Sequence, residues 1–121
     1  MTRHAELVRA VLVACNMLPG VYLMPYEATV ARRGRVKQAL GWAGVSDVIG
    51  WMEQCGRCAA RPPLKNCKDD SYIVPRWVAF EVKVGRDTLS PAQRAFLDKV
   101  TAAGGIALEI RDVMTAVEAL T

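Results

Sequence analysis

A chain of 121 residues has room for one hydrophobic core and not for two, so any active site must be built on that single core. Its 52% hydrophobic content excludes a disordered chain, because there is ample apolar surface to offset the entropy lost on folding. A net charge of +4 favours an anionic partner, yet many soluble domains carry as much, so charge alone does not establish nucleic-acid binding.

The basic start and the apolar run from Ala10 to Cys15 have the outline of a secretory signal, but Glu6 and Arg9 interrupt it. No apolar stretch approaches the roughly 20 residues that a membrane span needs. The expectation is a cytoplasmic protein with no membrane partner. With no internal repeat, low-complexity tract or linker in view, residues 1–121 read as a single domain.

From Ala5 to about Leu18, Val8, Leu12 and Cys15 form one helical stripe, flanked by Leu7, Val11, Ala14 and Leu18, and Pro19-Gly20 ends the pattern. Val21 to about Val30 alternates and predicts a strand, with Pro25 marking an edge or a bulge. Arg32-Arg33-Gly34-Arg35 makes a turn, and a second strand from Val36 to about Ala43 leads into Gly44-Val45-Ser46-Asp47, so Asp47 falls at a strand end or bend. Residues 53–76, with Pro62-Pro63, Asn66, Asp69-Asp70 and Pro75, favour loop over regular structure.

Trp77 to Val84 is the clearest strand. Val78, Phe80, Val82 and Val84 share an apolar face, which leaves Glu81 and Lys83 together on the other. Ser90 then caps a helix with Pro91 in its first turn, and Phe96, Val100 and Ala103 continue its apolar stripe as far as Gly104-Gly105. Ile106 to Ile110 reads as a short strand, and Asp112 caps a last helix through Leu120. The sum is an α/β chain ordered helix, three strands, helix, strand, helix.

An acid and an amine two apart on an anchored strand suit an oxygen-ligated divalent ion and the water it activates. The same pair is also commonplace on a solvated strand face. Asp47 adds weight, because a lone carboxylate among apolar neighbours is costly unless paired or metal-bound. Ser90-x-x-Gln93 has its own structural explanation as a capping box. Glu6 is equally explained as an exposed helix residue paired with Arg9.

The order of Glu6, Gly44-x-x-Asp47, Glu81-x-Lys83 and Ser90-x-x-Gln93 resembles the PD-(D/E)xK nuclease superfamily, and within it the VRR-NUC (virus-type replication-repair nuclease) family, over nearly the whole chain. The resemblance implies a restriction-endonuclease-like core, a central mixed β-sheet flanked by helices. It further implies a metal-dependent DNA endonuclease, structure-selective, acting in replication, repair or phage DNA processing. Asp47, Glu81, Lys83 and Gln93 are then the catalytic residues. Asp47, Glu81, the backbone carbonyl of Val82 and Glu6 would hold Mg²⁺, with Mn²⁺ able to substitute. A homodimer is implied too, because two cuts in a symmetric substrate call for two sites related by a two-fold axis.

Three readings stand beside this one: a Holliday-junction resolvase proper, a non-catalytic nucleic-acid-binding domain that retains the fold, and a small Cys-rich regulatory module. Arg32, Arg33, Arg35 and Lys37 cluster around the first hairpin and are the candidate DNA-phosphate contacts, against the alternative of a solvated charged turn. His4, near the terminus, reads as a surface residue and Cys15 as a small core residue.

The segment from 53 to 76 is longer than the family pattern and carries Cys55, Cys58 and Cys67. Cys55-x-x-Cys58 with Cys67 is spaced like part of a zinc site. A closed structural site needs four ligands, and no fourth lies near in sequence, so structural Zn²⁺ is not favoured over an ordinary Cys-rich loop.

Overall fold

The computed structural model describes residues 1–26, 29–33, 36–40, 44–56, 59 and 73–121, with the backbone alone for 29–33 and 36–40. Arg35, Cys58 and Cys67, and the side chains of Arg32, Arg33 and Lys37, therefore lie outside the described residues.

Helix α1 spans Arg3–Asn16, and Thr2 caps it by accepting the Ala5 N–H on its hydroxyl at 3.1 Å. Strands β1 (Val21–Pro25), β2 (Thr29–Arg33), β3 (Val36–Leu40), β4 (Val48–Cys55) and β5 (Ile73–Val82) follow. Helix α2 (Pro91–Ala102), strand β6 (Ile106–Ile110) and helix α3 (Val113–Ala119) complete the order. As expected, Ser90 caps α2 and Asp112 caps α3.

The main sheet has four strands in the order β1-β4-β5-β6. β1 with β4 and β4 with β5 run antiparallel, while β5 and β6 run parallel. A parallel pair needs a crossover, and α2 provides it. The fold is thus α/β, with a mixed sheet flanked by helices. β2 and β3 form a separate antiparallel hairpin in which Arg32 and Lys37 occupy opposed register positions.

Alternation along β5 assigns its two faces. Val78, Phe80 and Val82 join Val11 and Cys15 of α1, Ala116 of α3 and Leu120 in the buried core. Trp77, Ala79 and Glu81 point to the side on which α2 lies. Phe80 is fully buried, and replacing such a ring by Ala costs about 3–5 kcal/mol. The core thereby anchors the strand that carries Glu81.

The strand predicted over Val21 to Val30 is in fact two strands in two sheets, β1 ending at Pro25 and β2 beginning at Thr29. Residues 53–76 are not loop throughout, because Glu53 to Cys55 end β4 and Ile73 to Arg76 begin β5. Pro75 is tolerated in β5 because β6 pairs only from Val78 onward, so the Pro75 nitrogen meets no ladder on that side. At the far end, β5 stops at Val82 rather than Val84, although the Lys83 N–H still donates to the Ile110 carbonyl at 3.0 Å.

Candidate active site

Three elements converge where β5 ends. The turn before β4 supplies Asp47, β5 supplies Glu81 and Val82 with Lys83 next in the chain, and α2 supplies Gln93. Gly44 makes this approach possible. Its φ is +81°, and a Cβ there would lie 2.5 Å from the backbone carbonyl of Ala92, so only glycine lets the Asp47 turn close on the start of α2.

Asp47 is held through one oxygen. Its Oδ2 accepts the Val82 N–H at 2.9 Å and lies 3.2 Å from Nε2 of His4. Among the described residues no backbone or side-chain N–H donates to Oδ1, and the Glu81 carboxyl, when protonated, lies close enough to donate to the Asp47 carboxylate. Since a carboxylate oxygen accepts, Nε2 is the protonated nitrogen in this contact.

Glu81 mirrors this arrangement. Oε1 accepts Nε2 of Gln93 at 2.8 Å and pairs with Nζ of Lys83 at 3.5 Å. Oε2 is buried and has no partner in full hydrogen-bond geometry, although the Asp47 backbone N–H and carboxylate lie near enough to act on this carboxyl. The residue is only 3% exposed, and burial first, then the charge of Asp47, pushes its carboxyl up to about 7, with Lys83 opposing. Ser46 Oγ, one residue before Asp47, is likewise buried and without a partner.

An orphaned carboxylate oxygen in the interior costs free energy unless a proton or a cation meets it. Two carboxylates, each with one oxygen fixed and the other left over, fit a hard cation that keeps several waters and takes one or two carboxylates, as Mg²⁺ does. No cluster of three His, Cys, Asp or Glu side chains suited to a metal occurs among the described residues.

Asp47, Glu81, Lys83 and Gln93 thus come together as a group. Gln93 is both cap and site residue: the capping box with Ser90 is formed, and the same amide reaches Glu81. Val82 meets the group through its amide N–H. Glu6 makes no ion pair with Arg9 among the described residues; it lines a cleft of about 520 Å³ together with Arg3, Lys83 and Arg111. Cys55 is buried at the end of β4.

His4 is the residue that sequence reasoning missed. It sits 43 residues from its partner, and no spacing rule links a helix start to a turn that far along the chain. Its one signal was position, two residues before Glu6 in the first turn of α1. The widest cleft among these, about 590 Å³ between α2 and the sheet, is apolar apart from Lys99 and holds none of the acids. No helix among the described residues is long and apolar enough to cross a membrane. In comparisons with known proteins, no family model, no curated protein and no solved structure matches this chain.

Proposed function

We propose that the chain is a metal-dependent DNA endonuclease of the PD-(D/E)xK class, similar to stand-alone VRR-NUC proteins. One observation carries the reading: Asp47 and Glu81 meet beside Lys83, with Glu81 Oε2 buried and lacking a hydrogen bond of full geometry. The helix–sheet order, with β5 feeding α2 and then a parallel β6, is compatible with the core of that superfamily.

Asp47 and Glu81, with the Val82 carbonyl, would hold Mg²⁺ or Mn²⁺. The ion would supply an acidified water and polarise a phosphoryl oxygen. Lys83, whose ammonium lies beside Glu81, is placed to orient the attacking water or to offset the negative charge developing at phosphorus. Gln93 locks the Glu81 rotamer, which spares the site the cost of ordering that side chain during the reaction.

Arg32 and Arg33 of β2 and Lys37 of β3, with Arg35 between them in sequence, would hold DNA phosphates, a sequence-independent grip that suits selection by DNA structure. A homodimer would present two such sites to a branched substrate. The test is substitution: Asp47→Asn, Glu81→Gln and Lys83→Ala should each abolish cutting of a four-way or flapped DNA while leaving the fold intact, as a cooperative thermal melt would show. Wild-type cutting by any of the three would contradict the assignment.

A further inference from the structure

We infer that His4, rather than Glu6, is the residue through which α1 serves the catalytic centre: its Nε2 fixes the Asp47 carboxylate so that Oδ1 is left for the cation. The inference rests on the endonuclease reading and adds to it a positioning residue outside the acid, acid and lysine set.

The contact is built rather than incidental. The first turn of α1 is pinned by the Thr2 cap, whose hydroxyl accepts the Ala5 N–H at 3.1 Å and whose carbonyl accepts the Glu6 N–H at 3.0 Å. His4 lies within that turn, and its ring and Asp47 line one small cleft of about 270 Å³ with Leu12 and Tyr26. The turn that carries Asp47 is tied from its other side, where the Tyr26 N–H donates to the Asp47 carbonyl at 2.8 Å.

Two donors from two separate elements therefore reach the same oxygen, Val82 N–H from β5 and Nε2 from α1. Those two contacts use both lone pairs of Oδ2. Only Oδ1 can then ligate, and the carboxylate cannot rotate without losing both bonds. Glu81 is treated in the same way, with Gln93 and Lys83 on Oε1 and Oε2 left over. His4 thus stands to Asp47 as Gln93 stands to Glu81. Among the described residues the Glu6 carboxylate makes no such hydrogen bond to Asp47 or Glu81; Glu6 lines one cleft with Lys83 and Arg111 and another with Arg9.

Hydrogen-bonding partners behind metal ligands typically contribute 10–100-fold to metal affinity. The experiment is calorimetric titration of the full chain with Mn²⁺ alone, without DNA, for the wild type, His4→Ala, His4→Gln, Glu6→Gln and Asp47→Asn, each with a thermal melt. His4→Ala should weaken Mn²⁺ binding by about 10-fold or more. His4→Gln, whose side-chain amide can donate from nearly the same place, should return to within a few-fold of wild type, and Glu6→Gln should be unchanged. The inference is overturned if His4→Ala binds like wild type, or if His4→Gln is as weak as His4→Ala although both melt normally. A different failure, wild type and Asp47→Asn giving the same absence of Mn²⁺ binding, would overturn the endonuclease reading and the inference with it.

Discussion

One amide of Gln93 makes two bonds: its oxygen accepts the Ser90 N–H at 2.9 Å, and its nitrogen donates to Glu81 Oε1 at 2.8 Å. The capping box that fixes the start of α2 also fixes the acid on β5. Helix initiation and site geometry are therefore one structural event.

Because the two roles use different atoms, they can be separated. Gln93→Glu keeps an acceptor for Ser90 but replaces the donor to Glu81 with a second carboxylate. It should lose cutting by 10-fold or more and melt below wild type at pH 8, where the two facing carboxyls repel, with the gap narrowing toward pH 5. Gln93→Ala should lose both, with a stability cost of about 1 kcal/mol. Denaturant melts beside cleavage assays check this, and full activity in Gln93→Glu would show that the Glu81 contact is idle.

Glu81 predicts a pH dependence of stability. Its carboxyl lies near 7 in the folded chain and near 4.5 in the unfolded one, so between those values the folded state holds a proton that the unfolded state has released. Its contribution to stability is complete below about 4.5 and is lost as pH rises through about 7. Without divalent ions, Glu81→Gln should melt several degrees above wild type at pH 8 and no higher at pH 5. Equal melting of the two proteins at pH 8 would mean that the buried carboxylate is not under this strain.

The same proton competes with a cation. Mn²⁺ affinity should fall as pH is lowered through about 7, and saturating Mn²⁺ should restore the stability that Glu81 removes at pH 8. Affinity that is flat from pH 8 to pH 5 would count against Glu81 as a ligand.

Gly44→Ala is expected to destabilise the fold by about 1–3 kcal/mol, because it adds a Cβ 2.5 Å from the Ala92 backbone at a residue with φ of +81°. Cutting should drop as the Asp47 turn is pushed off α2. A normal melting temperature in this variant would contradict the close packing of the turn against the helix.

Much of the second half of the chain was legible because its signals are local. Alternation marks Trp77 to Val82, Ser90 and Asp112 are caps, and Gly104-Gly105 is a stop. β4 was not legible. It lies between β1 and β5 and runs Val-Ile-Gly-Trp-Met before its first polar residue, so it lacks the alternation of a half-exposed strand. The break between β1 and β2 was hidden for the opposite reason, since the alternation passes through it without interruption. In the site, the acids and Lys83 could be read from motif and face. The dual role of Gln93 and the contact of His4 depend on how α1 and α2 pack against the sheet, which no spacing within either helix encodes.

Metal-dependent cutting is decided by incubating the wild type with linear, nicked, flapped and four-way DNA in Mg²⁺, in Mn²⁺ and in EDTA, with Glu81→Gln in parallel. A metal-dependent nuclease should cut at least one branched or nicked substrate in Mg²⁺ or Mn²⁺ and none in EDTA, and Glu81→Gln should cut none. No cutting under any condition, or cutting that survives EDTA or the loss of the Glu81 carboxylate, would contradict the assignment.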